Sequence, residues 1–519
     1  MVHLNTAPAL RADSIGLTGM NKYLLRPPWQ STVRKNICHI QFYLVRNRIL
    51  ARQFNASKIF DSVPFWVLAI FILLTFLTGG GARDDIQSLA VLRPISALTL
   101  GFALWGASFA HFQAFRFLTT FAALLILLVI LHLVPLPPSF WAALPGRELI
   151  IDIDKAAGLG VVWRPLSLAP SQTSNALYSL IGPLAVFVML ICLTREQRFA
   201  ILRLLLLIGL FSGGIGLLQA VGPTDGPLYF YNITNGSAAV GLFANRNHQA
   251  ILLACLFPML AVYASTGALS IEQARFRRLL AIGASLLLVP LLLVTGSRAG
   301  LIAGVVGLVS AAMLYQTQEF IVSPKRKVHR FNPKYIYGGV GIFGLTAITL
   351  LMSRAQALER LLAGDNEQDL RFVIWGPIME MAGKYFPFGS GIGSFVEAYQ
   401  VDEDFSQLSP EYLNHAHNDW IEIIVTGGLP AIMLACLSLM AWGWQINRLL
   451  RQPGGASRRG LLYGRLGAVI IFIVALGSVS DYPLRVPSVA VLFVIAAVWM
   501  ADAFREPATP QASQARRVD

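Results

Sequence analysis

Charge is scarce in this chain. Asp, Glu, Lys and Arg make up 13% of its 519 residues, where an average soluble domain carries about 25%. Hydrophobic residues reach 55% and the mean hydropathy is +0.61. Several runs of roughly eighteen or more nearly uncharged residues exclude a soluble fold and specify membrane helices. Cysteine is scarcer still, at four. Cys38 lies in the N-terminal tail and Cys192, Cys255 and Cys436 lie inside apolar runs, a placement that predicts neither a disulfide nor a cysteine metal site. Acidic residues are the minority charge, 27 against 41 basic ones, for a net +14. No RNP signature, zinc-finger spacing or basic heptad region accompanies that excess, so it is not a nucleic-acid footprint. There is no repeat of fixed period. The first apolar run starts near Ser62, too far in for a cleavable signal peptide.

What is present is a series of apolar runs, at 63–79, 88–109, 117–135, 176–194, 200–219, 247–265, 279–296, 299–316, 336–353, 418–445, 466–480 and 486–503. They predict an all-α polytopic membrane protein of about twelve transmembrane helices. An even count puts both termini on one side. The segments carrying Arg195 and Arg198, Arg275 to Arg278, Lys325 to Lys334 and Arg448 to Arg465 then fall on that side. By the positive-inside rule it is the cytoplasm. The loops at 136–175, 220–246 and 354–417 fall outside, the last being a large loop before the tenth span. Residues 1–61 form a basic cytoplasmic tail, 62–503 the membrane domain and 504–519 a second cytoplasmic tail. Within the first tail, 38–54 mixes apolar residues with arginines, as a helix lying on an anionic leaflet does; a disordered tail is the alternative. Pro183, Pro258 and Pro290 mark expected kinks.

Polar chemistry collects at the outer face, above all in Asn414-His415-Ala416-His417-Asn418-Asp419-Trp420. Histidine titrates near neutrality and can take a proton from a hydroxyl. Two ligands of a metal are the other reading of His-x-His, but no acidic or cysteine partner stands at a recognisable spacing. Outer arginines run against the positive-inside rule, and two stand out. Arg298 occupies the short turn Thr295-Gly296-Ser297-Arg298-Ala299-Gly300, where Ser297 can cap the next helix and leave Arg298 beside free N–H groups, an anion site. Snorkelling to headgroups is the bland alternative. Arg371 opens an amphipathic helix ending near Lys384, with a local salt bridge to Asp365, Glu367 or Asp369 as its plain reading. Asn245-Arg246-Asn247-His248 enters another span and can bind sugar hydroxyls or cap the helix. Asp152-Ile153-Asp154 and Asp402-Glu403-Asp404 read as solvated acidic faces, and Gly389-Ser390-Gly391-Ile392-Gly393 as a tight bend rather than a dinucleotide fingerprint. Trp163, Tyr229, Tyr231, Tyr385 and Tyr399 are aromatics that can stack on sugars.

The chain resembles the O-antigen ligase and O-antigen polymerase superfamily of bacterial envelope glycosyltransferases. The resemblance rests on Ser297-Arg298-Ala299-Gly300, Arg371 with Trp375, Phe388 to Gly393, and His417-Asn418-Asp419-Trp420 running into Gly427-Gly428-Leu429-Pro430, joined by Leu242 to His248. Thr426 stands where a Glu is common, and Pro430 replaces the usual second glycine. The resemblance implies a twelve-helix glycosyltransferase domain in the inner membrane, working without metal or cofactor on the periplasmic side. Its donor would be an undecaprenyl-diphosphate-linked oligosaccharide. Its acceptor would be a growing glycan, in exopolysaccharide or O-antigen polymerisation, or lipid A–core, in ligation to lipopolysaccharide. A chain-length regulator is the expected partner protein of a polymerase, beside membrane lipids and with no nucleic acid. It also implies Arg298, Arg371 and His417 as the catalytic set, with His415, Arg246, Asn247, His248 and Asn418 around the substrate. Two arginines would hold the leaving diphosphate, and His417, or else His415, would deprotonate the acceptor in an inverting transfer. A secondary transporter of a small anion and a non-catalytic export scaffold are the competing classes.

Overall fold

A computed structural model describes residues 62–223, 226–236, 238–318, 366–403, 405, 412–451 and 457–505, with residues 366–372 described by backbone alone. The tail at 1–61, the span drawn over 336–353, the loop portion 354–365 and residues 506–519 lie outside the described residues.

Helix dominates. In chain order the helices are α1 (Val63–Thr78), α2 (Leu89–Gly106), α3 (Phe109–Ala114), α4 (Arg116–Leu131), α5 (Pro138–Ala142), α6 (Glu148–Ala156), α7 (Pro170–Ser179), α8 (Ile181–Cys192), α9 (Arg195–Val221), α10 (Arg246–Ser265), α11 (Ile271–Val294), α12 (Arg298–Leu314), α13 (Asn366–Tyr385), α14 (Phe395–Asp402), α15 (Asp419–Arg451), α16 (Arg458–Gly477) and α17 (Pro487–Ala501). A 3-10 turn at Pro483–Arg485 precedes the last. Strands β1 (Pro135–Leu136) and β2 (Arg164–Pro165) form a small antiparallel ribbon. Among the described residues seven stretches are long and apolar enough to cross a membrane, and α1, α4, α12 and α17 are shorter apolar helices. The protein is a polytopic all-α membrane protein.

Each apolar run within the described residues lies on a helix, with two systematic differences. α11 begins at Ile271 and α16 at Arg458, about two turns before the apolar runs, because charged turns continue a helix beyond the hydrocarbon where hydropathy no longer marks it. The run at 176–194 is split between α7 and α8 at Leu180. Pro183 lies in the first turn of α8, where its missing N–H costs no helical bond. Pro258 and Pro290 sit inside helices that continue through them.

α10 is the central element, buried along nearly its whole length. It packs against α12 through small residues. A Cβ on Gly300 would come within 2.2 Å of the Ala250 Cβ, and one on Gly307 within 2.3 Å of the Ala254 carbonyl. Close backbone approach of this kind is how helices associate in lipid, where burial from water offers no drive.

Polar contacts gather at the two ends of the bundle. At one end Asp502, 1% exposed, receives Arg198 Nε and Nη2 at 3.1 Å each, and Arg195 donates to the carbonyls of Asp502, Ala503 and Arg505. Arg459 pairs with Glu196 there, and Arg458 reaches Gln316 and Thr317. The other end, reached by following α17 back to Asp481, carries the candidate site.

Candidate active site

Three of the helices that begin at this end, α10, α12 and α15, are each capped by the side chain just before them. Asn245 accepts from Asn247 N at 2.8 Å to start α10. Ser297 accepts from Gly300 N at 2.9 Å to start α12. Asn418 accepts from Trp420 N at 3.0 Å and Ile421 N at 3.2 Å to start α15. Converging N-termini put uncompensated N–H groups and the positive ends of helix dipoles in one place, favouring an anion. Arg298 is the first residue of α12 and adds a full positive charge.

Two buried carboxylates tie these starts together. Asp481, 1% exposed, accepts from Asn245 Nδ2 at 3.1 Å, Asn247 Nδ2 at 2.6 Å and Tyr482 N at 3.0 Å. Asn247 Oδ1 accepts in turn from Ser297 Oγ at 2.7 Å, so one chain of bonds runs from Asp481 to the cap beside Arg298. His417 Nδ1 lies 3.5 Å from Asp481 Oδ1, and His248 Nε2 lies 3.9 Å from the same oxygen. Glu422, fully buried, holds His415 Nδ1 at 3.1 Å, Ala416 N at 3.0 Å and Arg485 Nη2 at 3.0 Å. Arg485 Nε also reaches Asp419 Oδ1 at 3.2 Å, whose other oxygen accepts from Ser478 Oγ.

The backbone at His417 is unusual. Its φ is +49°, the one positive φ outside glycine among the described residues. Held in that region, a residue costs about a kcal/mol or more and persists where its surroundings over-determine it, often at active sites. The effect is to divide the histidine pair. His415 turns in to Glu422 and His417 to Asp481, while the Tyr482 ring lies 4.3 Å from the first imidazole and 5.1 Å from the second. Burial pushes the His415 imidazole below its usual range, against the opposing pull of Glu422. The His417 side chain keeps 19% of its surface exposed.

The glycine-rich bend supports this arrangement from behind. α15 breaks at Gly428, where φ is +57° and ψ is −153°. The break frees carbonyls, and the bend satisfies them: Ser390 N donates to Val425 O and Gly391 N to Thr426 O, both at 2.9 Å. Leu429 N donates to Pro387 O at 2.8 Å. Gly389 fits only as glycine, since a Cβ there would lie 2.5 Å from Thr426 O. On its far side Ile392 N donates to His132 Nδ1 at 3.0 Å, and Thr173 Oγ1 donates to Ile392 O at 2.7 Å.

The expected residues are distributed unevenly. His417, His415, Asn418, Arg246, Asn247, His248 and the start of α12 at Arg298 stand at the same end of the bundle. Asn247, His248 and Asn418 are buried and face other protein groups, so they build the frame rather than an open sugar surface. Position 371 lies in α13, one turn before Trp375, whose indole Nε1 donates to Ala416 O at 3.2 Å; the Arg371 side chain lies outside the described residues. Three of the five aromatics expected to stack on sugars cannot: Tyr231, Tyr385 and Tyr399 are 9%, 2% and 3% exposed and packed inside. The acidic clusters are salt-bridged faces, Asp152 with Lys155, Asp154 with Arg164 and Asp402 with Lys384. Sequence reading missed the acidic partners of the histidines. Glu422 is seven residues past His415, in the first turn of α15, and was open to discovery. Asp481 comes from a turn two helices later, and no local pattern announces it.

Residues 283–436 match the family described as O-Antigen ligase, about three tenths of the chain. No curated protein matches the chain. The matched stretch holds Arg298, Arg371 and His417 but neither Asn245 to His248 nor Asp481 to Arg485, which the fold brings to it. Over residues 283–436 the chain is similar to the O-antigen ligase family.

Proposed function

We propose that the protein transfers a glycan from an undecaprenyl-diphosphate carrier to a sugar hydroxyl on the periplasmic face of the inner membrane, with inversion at the anomeric carbon. The observation that carries this reading is His417, held at φ +49° beside buried Asp481 where α10, α12 and α15 begin. The orientation rests on the opposite end, where Arg195, Arg198, Arg458 and Arg459 collect; that basic end is the cytoplasmic one by the positive-inside rule.

In the reaction, His417 takes the proton of the acceptor hydroxyl as its oxygen attacks the anomeric carbon. With Nδ1 toward Asp481, Nε2 is the nitrogen left for the acceptor. The bond from the anomeric carbon to the phosphate oxygen breaks, and both electrons leave with the lipid diphosphate. Arg298, the N–H groups opening α12, and Arg371 stabilise that growing charge more than they stabilise the bound donor, which is what lowers the barrier. Arg371 joins this set because helical spacing puts it on the stripe of Trp375, which reaches the histidine segment. His415, Arg246, Asn247, His248 and Asn418 position these groups. The acceptor is a growing exopolysaccharide or O-antigen chain, with lipid A–core the alternative acceptor of the same chemistry. The test is purified protein in lipid with a defined undecaprenyl-diphosphate oligosaccharide. Longer lipid-linked chains identify a polymerase, and transfer to added lipid A–core a ligase. Release of undecaprenyl diphosphate with neither acceptor modified would contradict the assignment.

A further inference from the structure

A second polar feature lies beside the histidine site. A small cleft of about 60 Å³ opens between α1, α2, α7, α8 and α17, with Arg83, Arg93, Ser96, Asn175, Gly182 and Arg485 in its wall. Arg83 is paired with Asp85, and Arg485 with Asp419 and Glu422. Arg93 differs. It sits on the second turn of α2, a helix apolar enough to cross the membrane. Its Nη2 bonds the neutral side-chain oxygen of Asn175, and its buried Nε meets no acceptor among the described residues. No ion pair to Arg93 occurs among the described residues. A cation at the end of a membrane helix with an unused donor is costly to hold unless something outside the chain completes it.

We infer that this cleft binds the phosphate of a lipid headgroup, with Arg93 as the principal ligand. Arginine's planar fork suits phosphate oxygens. Ser96 and Ser179 line the cleft with hydroxyls that donate to Leu92 O and Ala176 O, and Leu89, Leu92, Pro183 and Val491 supply apolar wall. The outer surface of α2 is apolar, with Val91 53%, Leu98 75% and Trp105 94% exposed, so this face meets acyl chains and a headgroup can enter from the bilayer. Arg485 lines the cleft and also touches Glu422, the partner of His415. A bound phosphate therefore sits one guanidinium from the histidine site. Only the identity of the lipid depends on the glycan-transfer reading; the phosphate site does not.

The test measures the melting midpoint of the full-length protein in detergent against short-chain phosphatidic acid, the matching diacylglycerol and inorganic phosphate. Phosphatidic acid raises the midpoint saturably, and diacylglycerol does not. Arg93→Gln weakens half-saturation by about tenfold, as loss of a charged hydrogen-bond pair does. Gly182→Leu, which leaves every cation in place, has the same effect, because a Cβ there meets nothing closer than Ser96 Oγ at 3.4 Å and the longer side chain fills the cleft. Arg116→Gln, removing an exposed charge at the start of α4, leaves the response intact. An equal rise with inorganic phosphate would keep the phosphate site and overturn the lipid as its source. An equal rise with diacylglycerol, or unchanged phosphatidic acid binding in both cleft variants, would overturn the site itself. Glycan transfer is not read in this experiment, so neither proposal can fail through the other.

Discussion

Asp481 shows how much a single buried carboxylate organises here. Its two oxygens serve three donors, Asn245, Asn247 and the Tyr482 amide, and face His417 as well. Asp481→Asn sets an amide donor against groups that are already donors, at a cost of about 1–3 kcal/mol for an unsatisfied buried pair. The expected outcome is a lower melting midpoint and a kcat reduced by about tenfold or more, with little change in the donor's KM, because the base loses its orientation while the arginines stay. A fall in KM-dependent binding alone would assign Asp481 to the donor pocket instead. His132 gives a pH signature. It is 2% exposed and accepts from Ile392 N, so it must be neutral at Nδ1. Burial, and after it the charge of Arg147, push it down to about 4. A depressed histidine contributes stability that is complete above the unfolded value near 6.5 and is lost as pH falls toward about 4. The loss amounts to about 3 kcal/mol. The melting midpoint of the wild type therefore falls between pH 7 and 4.5, and His132→Gln flattens that part of the curve. Caps such as Asn245 and Ser297 were legible in sequence because each acts within three residues of itself. Asp481 and the seat of His132 were not, since their partners come from distant segments.

At the scale of elements, the decisive feature is the break in α15. The segment Asp419 to Gly427 carries Glu422 to the histidines, and the remainder from Leu429 runs on as an apolar helix. Gly428 permits the break, and the bend at 387–391 takes up the backbone groups it frees. The hydropathy pattern marks one long span here, since it registers apolar side chains and not a change of backbone direction. The glycine run was legible as a bend, but its role as the partner of the break needed three dimensions. Gly389→Ala tests this joint. At φ +79°, with a Cβ 2.5 Å from Thr426 O, the substitution must displace one backbone from the other. The expected cost is about 2 kcal/mol or more, from strain and lost hydrogen bonds together. Transfer activity should fall with it even at temperatures where the variant is folded. Gly376→Ala in α13, where nothing lies within 4 Å of the added Cβ, is the matched control and should lose neither.

For the whole molecule, the bundle keeps two kinds of polar chemistry apart. Buried Arg198 and Asp502 close one end, while Asp481, Glu422 and the histidines organise the other, with α17 between them. Class and helix positions were readable because a bilayer forces the backbone into helices and leaves apolar runs as their trace. The site was half readable: the histidine segment and the Ser297–Arg298 turn stood out as polar residues where membrane ends carry few. The carboxylates that fix them did not, because any loop could hold an Asp, and only packing selects which one. The central claim is that His417 removes a proton from the acceptor. Its most direct measurement is the single-turnover rate of glycan transfer by purified protein in lipid, wild type against His417→Ala, from the same undecaprenyl-diphosphate oligosaccharide. A fall of about 10²–10⁴-fold with donor binding retained is the predicted result. A variant that transfers at the wild-type rate would contradict it.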